Sequence, residues 1–217
     1  MIVKTKLIFV RHGEATGNID RIFHGFTNSE LTKNGRMQAE RVAERLSKEK
    51  IDYICSSDLK RAYETACTIA KHHGLSVDIR PAFREINGGL WENNPWDDLP
   101  NLFPESYDLW INEPHALQMP EGESMVGFFE RLRKETEAVM REHAGKTVCI
   151  VAHGTVVRVL NCYCVGKPLT QLNDIRWCDN AAITVAEHGE EGFQLLVDGD
   201  NSHLSDISTI ANQSWWK

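Results

Sequence analysis

The sequence predicts an α/β fold: a three-layer α/β/α sandwich around a largely parallel sheet. Three observations predict it. Short apolar runs alternate with amphipathic stretches along the chain. The runs, such as LIFV and TVCIVA, are the length of buried strands, and unusual polar residues stand directly after several of them. A chain of 217 residues fits one sizeable domain and can bury a core without disulfide or metal staples. The expected division is a single domain over residues 1–204 followed by a tail, 205–217.

The elements follow in order. Residues 6–10 read as a strand. Residues 31–50 read as a helix, with Thr32 as its cap and Ala39, Val42, Ala43 and Leu46 spaced to share one face. Residues 51–55 form a short strand, and 59–73 a second helix closed by Gly74. A strand is expected at 76–79, a long helix at 123–143, a buried strand at 147–152 and a helix at 155–165. Two final strands fall at 181–186 and 193–197. There is no internal repeat and no low-complexity linker. The tail SDISTIANQSWWK has no clear periodicity, and its Trp215 and Trp216 fit either docking or exposure.

Residues 87–130 stand apart. They are rich in proline and tryptophan, with no lysine or arginine between Arg84 and Arg131. They read as a lid-like excursion over the carboxyl edge of the sheet, the usual place for a substrate wall.

Composition excludes several classes. A formal charge of −7 argues against nucleic acid or a membrane surface as the main partner. The apolar run 7–10 ends at Arg11, too short for a signal-peptide core, and no run approaches a membrane span. Six cysteines are scattered without a CxxC pair, which fits a reduced, cytoplasmic setting.

In open α/β sheets, ligands bind beyond the carboxyl ends of the strands. Here those ends carry Arg11-His12-Gly13, then Ser56-Ser57-Asp58 leading to Arg61, then His153-Gly154; Arg84-Glu85 follows the strand near Val77. Singly, Arg61 reads as a solvated helix charge and Glu85 as a surface carboxylate. If the sheet is parallel, they meet on one edge. Two arginines and two histidines together would hold a dianion such as phosphate, helped by the N-terminus of the helix after Gly154.

Two rivals are weaker. A metal site finds no support: His72 and His73 are adjacent and cannot share a helix face, and no HExxH or carboxylate cluster occurs. Cys55 and Arg61, with five residues between them, have the spacing of cysteine-dependent phosphatases. Those loops cradle phosphate on backbone N–H groups and favour glycine; this one has none and carries Asp58. A Walker-type loop and a G-x-S-x-G elbow are also missing.

FVRHGEATGN, SELTKNGRMQAERVAERL, CSSDLKRAYETA, FREINGGLWE, PEGES and VAHG, in that order, resemble the histidine phosphatase superfamily, also called phosphoglycerate mutase-like. The resemblance runs from about Leu7 to Leu204. It implies that His12 is a nucleophile that becomes phosphohistidine. It further implies that Arg11, Arg61 and His153 bind the phosphoryl group, and that Glu85 is the general acid. Asn18, His24, Gly25, Gly154 and Thr155 lie where members contact substrate. No cofactor or metal is implied. One departure is Asn93, where many of the phosphatases have glycine after Trp-Glu; it bears on the local geometry of the excursion.

The family holds phosphatases and mutases on one core. A mutase must retain a multiply charged intermediate and wants extra cations, whereas the excursion is acidic and aromatic. The expectation is therefore a phosphomonoesterase acting on a small phosphate monoester. The alternatives are a phosphoglycerate-type mutase and, less favoured because Glu85 is kept, a non-catalytic phospho-ligand-binding module. Neither the substrate nor the oligomeric state is legible.

Overall fold

A computed structural model describes residues 4–209. The chain order is β1 (Thr5–Arg11), α1 (Thr16–Ile19), α2 (Lys33–Leu46), β2 (Tyr53–Ser56), α3 (Lys60–His73) and β3 (Val77–Ile79). Then come α4 (Leu99–Leu102), α5 (Pro104–Asn112), α6 (Met125–Glu142), β4 (Thr147–Ala152), α7 (Gly154–Cys164), β5 (Ile183–Gly189) and β6 (Gly192–Asp200). The strands form one sheet in the order β3-β2-β4-β1-β5-β6. The first four are mutually parallel, and β5 and β6 add an antiparallel hairpin. The fold is α/β, as the sequence predicts.

Why the apolar runs become central strands is visible in their alternation. Leu7 and Phe9 pack with Phe128, Leu132 and Val139 of α6 and with Val156 and Leu160 of α7. Ile8 and Val10 face the other way, onto Val42, Ala43 and Leu46 of α2 and Ala66, Ile69 and Ala70 of α3. Both faces of β1 are thus covered, giving the three layers. Each such side chain contributes about 1.5–3 kcal/mol through burial.

The helix boundaries are set by local chemistry. Helix α2 begins at Lys33, not at residue 31, because Leu31 bridges to Ala15 and the Thr32 hydroxyl accepts from Gly35 N–H as the cap. It stops at Leu46 rather than 50, since 47–50 offer no apolar residue to the core. Gly74 closes α3 in the left-handed conformation at φ 64°. Helix α6 starts at Met125 behind a Ser124 cap and buries Phe128, so the last residues of the expected excursion belong to the body. The excursion proper carries α4 and α5 around Trp91, which is fully buried and donates to the Ser106 hydroxyl. Ala181, at φ 57°, delays β5 to Ile183. Of the tail, residues 205–209 lie on the body, Ser208 and Thr209 being buried; Trp215 and Trp216 fall outside the described residues.

What matters for the site is register. Arg11 of β1 pairs with Ala152 of β4. The next residues, His12 and His153, therefore leave adjacent parallel strands side by side.

Candidate active site

His12 is buried beyond β1, its N–H donating to Ala152 O at 2.9 Å. Its Nδ1 lies 2.7 Å from the Gly13 carbonyl. A carbonyl can only accept, so Nδ1 carries the proton and Nε2 keeps its lone pair. The ring meets that of His153 edge-on, with centroids 5.3 Å apart. His153 is fully buried, and its Nε2 is 2.7 Å from the Ser57 hydroxyl.

The arginines are fixed by backbone. Arg11 donates to Cys178 O at 2.8 Å. Gly154 leaves room for it: a Cβ there would come within 3.3 Å of Arg11 Nε. Arg61, in the first turn of α3, donates to the carbonyls of Thr27, His24 and Gly25 at 2.8, 3.1 and 2.9 Å. That loop is held by Glu92, whose carboxylate accepts from the N–H groups of Gly25, Phe26, Thr27 and Gly88. Glu92 thus faces inward and builds the seat of Arg61.

Glu85 follows the short turn Pro81–Phe83 and is 9% exposed. Its carboxylate accepts from Ile86 N–H at 2.8 Å and from Thr155 N–H, in the first turn of α7, at 3.0 Å. Burial pushes its carboxyl above the usual range, against those two hydrogen bonds. Burial, with Arg61 and Arg11 added, holds the His12 imidazole well below its ordinary value. His153 is held down in the same way by burial, Arg61 and His12. Burial also brings the Arg61 guanidinium down to about 10, still protonated at neutral pH.

These groups open on one cavity of about 270 Å³, small by the standard of ligand sites. Arg11, His12, Asn18, His24, Arg61, Glu85, Gly154 and Thr155 line it. Two of the anticipated residues do not. Gly25 lies under Arg61, where a Cβ would strike Ile86 O at 2.2 Å, and His153 stands behind His12. Asn18 Oδ1 accepts from Ala15 N–H and from Asn180 Nδ2, so Asn18 also braces the loop.

Sequence reasoning placed Ser57 at a strand end without a role, and missed Asn180, Arg21 and Trp177. Ser57 and Asn180 act on the site through His153 Nε2 and His12 O. The last two line the outer chamber with Trp96, Tyr107 and Trp110. Trp110 and Trp177 stack with centroids 6.1 Å apart. The wall is less acidic than its composition suggested: of the excursion's acidic residues, Asp97 is the one lining the cavity among the described residues, and it pairs with Arg21 at 2.5 Å. Asn93 adopts φ 65°, the conformation a glycine would supply there.

The rivals fare differently here. Cys55 is fully buried within β2, packed in the core, and burial raises its thiol well above the usual range. It is the opposite of an activated thiolate. Among the described residues, no cluster of three or more His, Cys, Asp or Glu side chains is placed to hold a metal ion. Nor is any described helix long and apolar enough to cross a membrane.

The model of the histidine phosphatase superfamily (branch 1) matches residues 7–201. Phosphoserine phosphatase 1 of Hydrogenobacter thermophilus is 32% identical over 209 residues, covering 96% of this chain and 99% of its own. Phosphoglycerate mutase-like protein 4 of Arabidopsis thaliana is 37% identical over 209 residues, covering 94% and 89%. Among solved structures, YhfR of Bacillus stearothermophilus superposes with a TM-score of 0.88 at 30% identity, covering 92% of this chain and 99% of that one.

Proposed function

The chain belongs to the histidine phosphatase superfamily, whose members are phosphatases or mutases, and we propose that it is a metal-independent phosphomonoesterase for a small phosphate monoester. The observation that carries this reading is a neutral, Nε2-open His12 at the floor of a cavity where two buried arginines and a protonatable Glu85 converge.

In this reading Arg11 and Arg61 take up the charge of the phosphoryl oxygens, and His153 supports the His12 ring from behind. Phosphoryl transfer asks mainly for positioning and charge stabilisation, which fixed cations supply. His12 Nε2 attacks phosphorus in line as the ester P–O bond breaks, and the Glu85 carboxyl gives its proton to the departing alkoxide. The P–N bond of the phosphohistidine is then broken by water. Glu85, now a carboxylate, takes a proton from that water as its oxygen joins phosphorus, and inorganic phosphate leaves.

A mutase on the same core is the second reading, favoured by the name of the Arabidopsis relative. The outer chamber weighs against it: beyond the floor its charged lining is Arg21, hydrogen-bonded to Asp97. A chamber whose rim cation is already paired offers little to hold a second anionic group. A binding module without catalysis has no use for a proton donor at Glu85.

The test is phosphate release in EDTA from a panel of monoesters including O-phosphoserine, 3-phosphoglycerate and aryl phosphates. Turnover lost in His12→Ala and kept in Cys55→Ser is the expected result. Turnover that survives His12→Ala would overturn the mechanism, and transfer between carbons of phosphoglycerate without net release would favour the mutase.

A further inference from the structure

The Gly13–Glu14 peptide controls the nucleophile. Its carbonyl accepts from His12 Nδ1, and its N–H, on the same rigid plane, donates to Gln38 Oε1 at 2.8 Å. Gln38 is fully buried, and its Nε2 donates to the Ile207 carbonyl at 2.6 Å and the Thr209 hydroxyl at 2.9 Å. The Thr209 hydroxyl in turn donates to Glu14 Oε2 at 3.0 Å.

This arrangement has one consistent orientation. Turned over, the Gln38 amide would set an NH₂ against the Glu14 N–H and an oxygen against the Ile207 carbonyl, two repulsive contacts in a dry site. The acceptors at 207 and 209 therefore decide which end of Gln38 faces the nucleophile loop. That decision holds the Gly13–Glu14 plane, and the plane holds the proton on His12 Nδ1. The loop has little slack otherwise, since a Cβ at Gly13 would lie 2.4 Å from Gly35 O. A second strand of contacts runs parallel: Ser208 donates to Asp179, whose neighbour Asn180 donates from Nδ2 to His12 O at 3.0 Å.

The geometry points to Thr209 as a positioning residue: through Gln38 it fixes the tautomer and orientation of His12, making the segment after Leu204 part of the active site's scaffold. The inference rests on His12 as the nucleophile, but its chain of hydrogen bonds can be read without turnover. Deleting the hydroxyl leaves Gln38 Nε2 short of one acceptor and Glu14 short of one donor. With the Ile207 carbonyl the one acceptor left to Gln38 Nε2, the Gly13–Glu14 plane is held less tightly, and His12 Nε2 is open for only part of the time.

Thr209→Val keeps the shape and removes the hydroxyl; Thr209→Ser restores it. We expect Thr209→Val to lower kcat roughly ten- to a hundredfold with KM nearly unchanged, the scale of a small misplacement of a reacting group. Thr209→Ser should recover the rate. In ¹⁵N-labelled protein the hydrogen-bonded Nδ1 proton of His12, identified by its loss in His12→Ala, should vanish in Thr209→Val and in Gln38→Met and return in Thr209→Ser. Wild-type kcat in Thr209→Val and Gln38→Met would overturn the inference, as would a lower kcat with the ring signal intact. If the wild-type chain turns over no ester, the phosphatase reading fails, and the ring signal alone decides on the latch.

Discussion

Arg61, at the floor of the cavity, donates to three backbone carbonyls, whereas Arg21, at its rim, is held by the exposed carboxylate of Asp97. The contrast extends to their neighbours. His12, His153 and Glu85 are placed by strand ends, a helix start and peptide groups, all buried. Trp96, Tyr107 and Trp110 are placed by packing around Trp91 on the excursion. Backbone anchors cannot be replaced by a change of side chain, while a wall of side chains can be rebuilt residue by residue. The floor is where a shared chemistry can reside, and the wall is where substrates can be told apart.

Substitutions should break this division unequally. The largest effect is expected from Glu85→Gln, which removes the proposed proton donor: kcat/KM on an alkyl phosphate, which reports the displacement of the leaving group, should fall by about 10²–10⁴. It should fall far less on 4-nitrophenyl phosphate, whose leaving group needs no proton. Equal losses on both esters would remove Glu85 from the proton path.

Arg61→Met comes next, with kcat lower by about 10²–10³, the scale of one missing stabiliser of developing charge. It also carries a sign. Burial and two cations hold His12 well below its ordinary value of 6.5, and a cation removed makes the imidazole easier to protonate. The acid limb of kcat/KM should therefore move up in pH, toward 6.5, as the substitution is made. A limb that stays or moves down would break the assignment of that limb to His12.

At the wall the effects should be smaller and selective. Trp110→Leu removes a ring stacked on Trp177. It should raise KM for esters of aromatic alcohols a few-fold, in line with about 0.5–1.5 kcal/mol per aromatic contact, while kcat on a small ester holds. A uniform fall in kcat would show that the wall also shapes the floor. The smallest effect tests the backbone under the wall. Asn93→Ala places an ordinary residue at φ 65° and should cost about 1 kcal/mol in denaturant unfolding. Asn93→Gly should be nearly neutral.

The floor was legible in the sequence because strand ends are local events. LIFV followed by Arg-His-Gly states both a buried strand and what stands at its end, and TVCIVA followed by His-Gly does the same. Parallel pairing then brings the two ends together with no further information. The wall was legible only as composition. Nothing local separates Trp91, which is fully buried, from Trp96, which lines the cavity, or Glu92, which caps backbone N–H groups, from Asp97 at the rim. Gly25 was expected beside substrate and instead makes space beneath Arg61. Ser57 and Gln38 carry no signal of their own, since a buried hydroxyl or amide is known by its partner, 96 and 169 residues away.

Register and latch together have a consequence for how the molecule comes into being. The loop after β1 is synthesised well before its supports, which arrive with β4, with Asn180 and, last of these, with Thr209. At about 5–20 residues per second the ribosome takes roughly 10–40 s to travel from His12 to Thr209. For that interval Arg11 and His12 exist without the pocket that gives them meaning. A pocket of this design is blank on a nascent chain and complete only when residues 207–209 have been delivered to the loop after β1.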